Sequence, residues 1–173
     1  MDDLTHALAA DLDGTFPTLV ETMGRQLFWG LRRMSGNHQE AEDLTQETFI
    51  RAYRALGEYD AERIRSMDLS PWIWTIAMNL GRNHLRDRAR RPTYVELSDT
   101  GADDPEPVDD AAWDRRLSAL SREQRTAVVL RHVAGLGISE ISKVTGRPEG
   151  TVKADIHRGL SRLKETMERE HEH

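Results

Sequence analysis

The 173-residue sequence contains no cysteine, which excludes disulfide staples, thiolate metal sites and thiol nucleophiles. A cysteine-free chain suits a reducing compartment. No apolar run approaches the ~20 residues that cross a bilayer. The N-terminal "MDDLTHALAADLDG" is acidic and lacks the basic-then-apolar order of a secretory signal, so a cytoplasmic protein without membrane insertion is expected. Aromatic residues number ten, four of them Trp, so single aromatic side chains carry unusual weight. The motifs of common catalysts are missing as well: there is no HExxH, no glycine-rich phosphate loop and no GxSxG. Acidic pairs fall in one stretch or on helix exteriors. His6, His38 and His132 have no ligand-spaced partners, and the terminal "HEH" reads as a frayed polar tail. No enzymatic activity, metal or cofactor is expected.

The formal charge of −6 is unevenly placed. Between Pro92 and Asp114 lie eight acidic residues and no Lys or Arg, and outside that segment 24 basic residues face 22 acidic ones. Just upstream, "GRNHLRDRARR" holds five arginines against one aspartate. A mean charge therefore says little about the local field a phosphate would meet.

"RPTYVELSDTGADDPEPVDDAAW" has three prolines and no apolar period, and reads as a flexible linker that buries too little apolar surface to order itself. The chain then divides into an acidic N-terminal tail (1–14), a first helical domain (15–91), the acidic linker (92–112), a second helical domain (113–168) and a short tail (169–173). The expected class is all-α, with no strand pattern and no internal repeat.

In the first domain, Phe16, Leu19, Val20, Met23, Leu27, Leu31 and Met34 recur at helical spacing, and Gly36 and Asn37 supply a stop. "AEDLTQETFIRAYRAL" is a second helix with Ala41, Leu44, Thr48, Phe49, Ala52 and Leu56 on one side. Its other side gathers Asp43, Gln46, Glu47, Ile50 and Arg54, which is either a solvated face or an interface with one apolar anchor. A third helix opens at "SPWIW", with Ser70 as N-cap and Pro71 at the first helical position. There Ile73, Ile76, Ala77, Leu80 and His84 form one stripe, while Thr75, Asn79, Arg82 and Arg86 lie opposite. Arginines interleaved with Trp72, Trp74 and an amide are what single-stranded nucleic acid needs, for phosphates, stacking and a base edge. The simpler alternative places both tryptophans in the core.

The second domain begins with two short helices hinged near Ser121. "ISEISKVTG" and "RPEGTVKADIHRGLSRLKETM" then make a helix, a Gly-containing turn and a helix, a helix-turn-helix pattern. Ile138, Ile141, Val144, Val152, Ile156 and Leu160 fall where the two helices must pack. On a helical wheel Gly159, Leu160 and Leu163 face inward, Lys153, Ala154, His157, Arg158 and Ser161 occupy the outward arc, and Asp155 lies at its edge. There it pairs with Arg158 through (i, i+3) spacing or accepts from a cytosine amino group.

Taken together, "AEDLTQETFIRAYRAL", "PWIWTIAMNLGRNHLRDRARR", an acidic linker and "GISEISKVTGRPEGTVKADIHRGLSRLK" resemble, in order and over residues 15–165, a bacterial extracytoplasmic-function sigma factor. The resemblance implies a transcription initiation factor with a region-2-like domain over 15–91 and a region-4-like domain over 113–168. It assigns polymerase binding, on the β′ clamp helices, to Asp43, Gln46, Glu47, Ile50 and Arg54, with the β flap as a further polymerase contact. It places Trp72, Trp74, Asn79, Arg82, Arg86, Arg88, Arg90 and Arg91 on the melted minus-ten strand. Lys153, Ala154, Asp155, His157, Arg158 and Arg162 fall to the minus-thirty-five duplex. It also implies an anti-sigma partner, and a linker threading near the polymerase active-centre and RNA-exit channels. Against the family pattern, Gly137 stands at an N-cap usually Ser or Thr, and Thr75 and Asp155 stand at positions that are often basic. A one-component helix-turn-helix regulator with a dimerising or ligand-sensing N-terminal domain is the competing reading.

Overall fold

The computed structural model describes residues 1–90 and 110–171, with side chains described for 1–83 and 111–171. Among the described residues the structure is helices and turns, with no strand. The first body comprises α1 (Asp2–Ala10), α2 (Leu12–Ser35), α3 (His38–Glu58), α4 (Ala61–Arg65) and α5 (Leu69–Arg90). The second comprises α6 (Asp110–Ser118), α7 (Arg122–His132), α8 (Ile138–Thr145) and α9 (Glu149–His171). Apart from its last three residues, which belong to α6, the expected linker lies outside the described residues.

The expected N-terminal tail is instead helical. Leu4 and Leu8 share one side at four-residue spacing, Leu8 is buried, and α1 packs on α2 and α4. Asp2 and Asp3 in its first turn suit the positive end of the helix dipole. Asp11 caps α2 by accepting from Gly14 N at 3.0 Å. The stop at Gly36 is a left-handed residue (φ 70°) that an L side chain adopts reluctantly. Asn37 then caps α3 through Glu40 N at 2.9 Å. Every residue of the expected apolar side of α3 is buried, Thr48 included, because its hydroxyl donates to Leu44 O at 2.6 Å. The start of α5 differs from expectation. Trp72 N donates to Asp68 O, so the helix begins before Ser70, and Pro71 sits within the first turn, where its missing donor is still harmless.

α5 runs through the centre with Ile73, Trp74, Ala77 and Leu80 buried. Trp74 is wholly enclosed and fits against α2 at Gly30, where a Cβ would lie 2.4 Å from Trp74 Cη2. Its Nε1 has no hydrogen-bond partner in the structure, a cost of ~1–3 kcal/mol offset by the area the indole buries.

In the second body Ser121 and Gln124 form a reciprocal capping box at the expected hinge. Gly137 does cap α8, and lacking a side chain it supplies half a box, its N–H donating to Glu140 Oε2 at 2.6 Å. Gly146 (φ 72°) ends α8. α9 crosses α7 closely at Gly159, where a Cβ would lie 2.7 Å from Val128 Cγ2.

The two bodies meet directly, α8 against α5 and α7 against α2. Leu130, Leu136, Ile141, Val144 and Val152 join the same apolar cluster as Leu19, Leu27, Ile73 and Trp74. Arg32 of α2 grips Asp114 of α6 with both terminal nitrogens, at 3.2 and 2.8 Å. Gln26 donates to Val133 O at 2.9 Å. The guanidiniums of Arg33 and Arg116 approach the Trp113 ring, 5.7 and 5.4 Å from its centroid.

Asp68 lies at this junction. Partial desolvation at the junction, then hydrogen bonding to Glu140 of α8 and repulsion from its charge and that of Asp2, against attraction by Lys143, raise its carboxyl above the usual carboxylate range. A raised pKa means that the folded chain binds this proton more tightly than the unfolded chain. The contribution is therefore fully present below the ordinary carboxylate pKa and is lost as pH rises through the raised value.

Two outcomes are expected. Gly30→Ala meets an indole with no room to move, so overpacking of about 1–3 kcal/mol outweighs the ~1 kcal/mol helix-propensity gain, and thermal melting shows net destabilisation. Asp68→Asn raises the melting temperature at pH 7, and the gain fades as the buffer is taken below pH ~4. A gain unchanged at pH 3 would mean that the Asp68 charge is not its source.

Candidate nucleic-acid interface

Three faces carry the chemistry anticipated from the sequence. On α3, Asp43, Gln46 and Arg54 are exposed, Glu47 is half-buried, and Ile50 is 44% exposed. Gln39 Nε2 donates to Asp43 Oδ1 at 3.0 Å and Arg51 Nε to Glu47 Oε1 at 2.7 Å, so the carboxylates are held in place along the helix. Tyr53 was not anticipated. It is exposed one turn from Ile50, its hydroxyl donating to Asp13 Oδ1 at 2.6 Å and its ring edge-on to Phe16. The Asp13 carboxylate also raises the Tyr53 pKa, by accepting that hydrogen bond and by its charge. Ile50 and Tyr53 together form an apolar step within a charged face, which single-residue polarity did not reveal.

The α5 face separates the two tryptophans. Trp72 is half-buried, its ring 6.1 Å from that of Tyr59, and Arg63 stacks over Tyr59 at 3.5 Å. Trp74 has no exposed surface, which corrects its placement among strand-binding residues: an enclosed indole offers no face to a base. Asn79 and Arg82 are exposed and tied together, Arg82 Nη2 donating to Asn79 Oδ1 at 2.6 Å. Arg82 Nη1 donates across the junction to Thr145 O at 3.3 Å, where a cation at the end of α8 meets unpaired carbonyls and the negative end of the dipole. The side chains of Arg86, Arg88 and Arg90, and Arg91 as a whole, lie outside the described residues. Beside Arg82, a groove of about 230 Å³ between α5, α7 and α8 is lined by residues that include Met78, Arg122, Thr126, Ile141 and Arg147.

On α9, Lys153, His157 and Arg158 are exposed, Ala154 is half-buried, and together with Gly150 they line an open depression. Among the described residues, the side chains of Lys153 and His157 have no hydrogen-bond or ionic partner. Arg162 is exposed but donates to Ala119 O at 3.3 Å. Two expectations change. Leu160 is 40% exposed rather than turned inward, because Gly159 takes the close approach to α7. Asp155 is 5% exposed, ion-paired through Oδ2 to Arg147 Nη1 and through Oδ1 to Arg158 Nη2 at 3.5 Å. The (i, i+3) pair with Arg158 is present, whereas burial removes the carboxylate from reach of a base edge. Arg147, from the turn, was not anticipated.

Among the described residues no group of His, Asp and Glu is arranged to hold a metal, and no helix is long and apolar enough to cross a membrane.

Comparison with known proteins matches two family profiles, Sigma-70 region 2 over residues 19–91 and Sigma-70, region 4 over residues 110–163. The chain is 32% identical over 171 residues to the ECF RNA polymerase sigma factor SigW of Bacillus subtilis, covering 88% of each protein. It is 36% identical over 146 residues to SigE of Mycolicibacterium smegmatis, covering 78% of this chain and 54% of that one, so it spans about half the length of that relative. The fold is similar to that of the sigma factor RpoE from Bartonella quintana, solved with the anti-sigma factor NepR: TM-score 0.74, 23% identity, 88% of this chain and 96% of that one.

The contrast between the indoles is testable in solution. Replacing Trp72 with Phe should lower the acrylamide-quenchable fraction of tryptophan emission, and replacing Trp74 with Phe should not.

Proposed function

The chain belongs to the extracytoplasmic-function sigma factors of the sigma-70 superfamily, and we propose that it joins core polymerase through α3, captures the melted minus-ten strand with α5 and reads the minus-thirty-five duplex with α9. Members of this family are non-enzymatic initiation factors that bind core RNA polymerase and promoter DNA, and direct transcription to specific promoters. The finer assignment rests on one observation above all. The α3 face presents Ile50, 44% exposed, among ordered carboxylates. A solvated isoleucine within such a face suits the apolar anchor of a protein interface. On the same footing, Asp43, Gln46, Glu47, Ile50 and Arg54 meet the polymerase clamp, and Tyr53 extends that contact.

The division of labour between α5 and α9 follows from what each substrate needs. A melted strand needs a stacking surface, an amide and cations, which Trp72, Asn79 and Arg82 supply. A duplex needs a helix in the major groove with cations along its outer arc, which Lys153, His157 and Arg158 supply from α9. In this arrangement α8 rests on α5 and Arg82 is engaged with Thr145, so strand capture requires the two bodies to part. The β flap is the polymerase contact for the second body, an anti-sigma factor is the partner that would keep the bodies together, and the cytoplasm is where both meet the protein.

Run-off transcription with core polymerase on a library of genomic fragments tests the reading. Promoter-dependent transcripts are expected with the wild-type protein. Ile50→Asp, at an exposed position, should leave the fold intact and weaken polymerase binding by about 30-fold, the scale of an interface anchor. Wild-type transcript levels from Ile50→Asp would remove α3 from the contact.

A further inference from the structure

Asp155 is a carboxylate in a helix proposed to approach a polyanion, and its environment gives it a definite task. It lies on the buried side of α9 in line with Val152, Gly159 and Leu163, and both of its oxygens face guanidiniums. The two partners differ. Arg147 belongs to the turn, whose course is set before its side chain reaches α9: Gly146 takes the left-handed conformation and Ser142 Oγ donates to Arg147 O at 2.6 Å. Arg147 is therefore an anchor. Arg158 is an outward arm, its side chain 61% exposed, and it borders the depression formed with Gly150, Lys153, Ala154 and His157.

An exposed arginine samples many rotamers and must surrender them on binding. A fixed anion at its root narrows that choice in advance, and a planar guanidinium held in one direction discriminates donor and acceptor patterns that a freely moving one averages. The same arrangement removes the electrostatic objection to an acid here, because two cations of the protein itself neutralise it.

We infer that Asp155 is a positioning residue for minus-thirty-five recognition: anchored by Arg147, its carboxylate directs the Arg158 guanidinium, and Arg158 makes the discriminating contact. This rests on α9 being the duplex-reading helix. Arg147 and Asp155 form a unit eight residues apart that spans the turn, and Asp155 does not touch DNA.

The test is transcription by core polymerase with the full-length protein on pooled genomic fragments, with transcripts sequenced and promoters ranked. Circular dichroism and thermal melting are measured on each variant. Asp155→Asn and Arg158→Ala should both remain helical and both lose discrimination against single-base changes in the minus-thirty-five element, by about fivefold or more. Arg147→Ala should melt at lower temperature and, assayed below its melting point, lose less of the ranking than Asp155→Asn, because Asp155 and Arg158 remain together on α9 while the carboxylate loses its anchor. The exchange Arg147→Asp with Asp155→Arg restores a pair between turn and helix but sets a cation beside Arg158. It should fold and still lose the ranking, which keeps the test decisive if Asp155→Asn unfolds. Wild-type ranking in Asp155→Asn or in the exchange overturns the inference, as does equal scrambling by Arg147→Ala, which would make the pair purely structural. If the wild-type protein itself selects no promoter, the functional reading fails, and the inference with it.

Discussion

The seating of α8 on α5 is the contact on which the arrangement of this molecule depends. Ile141 and Val144 of α8 are sealed in the same apolar cluster as Ile73, Trp74 and Ala77 of α5, so the two bodies are joined by a continuous core as well as by chain connectivity. Polar contacts follow from that seating. Arg82 reaches the end of α8, Gln26 reaches Val133 O, and Arg32 closes on Asp114. Exposed, such contacts are each worth little. Here they ring the apolar seam between the two bodies.

That seating makes the proposed strand-binding surface conditional. Arg82 is held by Thr145 O at the end of α8 when the bodies are together, whereas its bond to Asn79 lies within α5. The α3 and α9 faces are different, because Ile50, Lys153, His157 and Arg158 stay exposed in the closed arrangement. On the proposed assignment, the polymerase and duplex faces are accessible while Arg82 is still engaged with α8. The net charge of −6 has no bearing on this, since the outer face of α9 presents cations and its carboxylate is turned inward and paired.

Much of the fold was legible in the sequence. The apolar sides of α2 and α3, the stops at Gly36 and Gly146, the hinge at Ser121 and the glycine cap of α8 follow from periodicity and from the few residues that suit those backbone positions. The N-terminal helix was missed because its two leucines are diluted by aspartates and alanines, and its stability comes from packing on α2 and α4. Trp72 and Trp74 illustrate a sharper limit. Two residues apart on a helix, they point to nearly opposite sides, so only one could have been core. The notch that decides between them is at Gly30, more than forty residues away, and no local pattern records it. Asp155 is the reverse case: the helical wheel set it at the edge of the outward arc, and it is buried in line with Val152 and Gly159, paired to Arg147 and Arg158.

Apart from α1 and the first turn of α5, the helix positions, together with the order of the two bodies and the family, follow from local spacing and motif, because each depends on residues within a turn or two of one another. Which indole is enclosed, which carboxylate is neutralised and which arginine is occupied depended on contacts between distant segments. Gly30 against Trp74, Arg147 against Asp155 and Thr145 against Arg82 are pairings that only the tertiary structure could decide, since burial and charge neutralisation depend on what lies across the interface and not on what lies next in the chain.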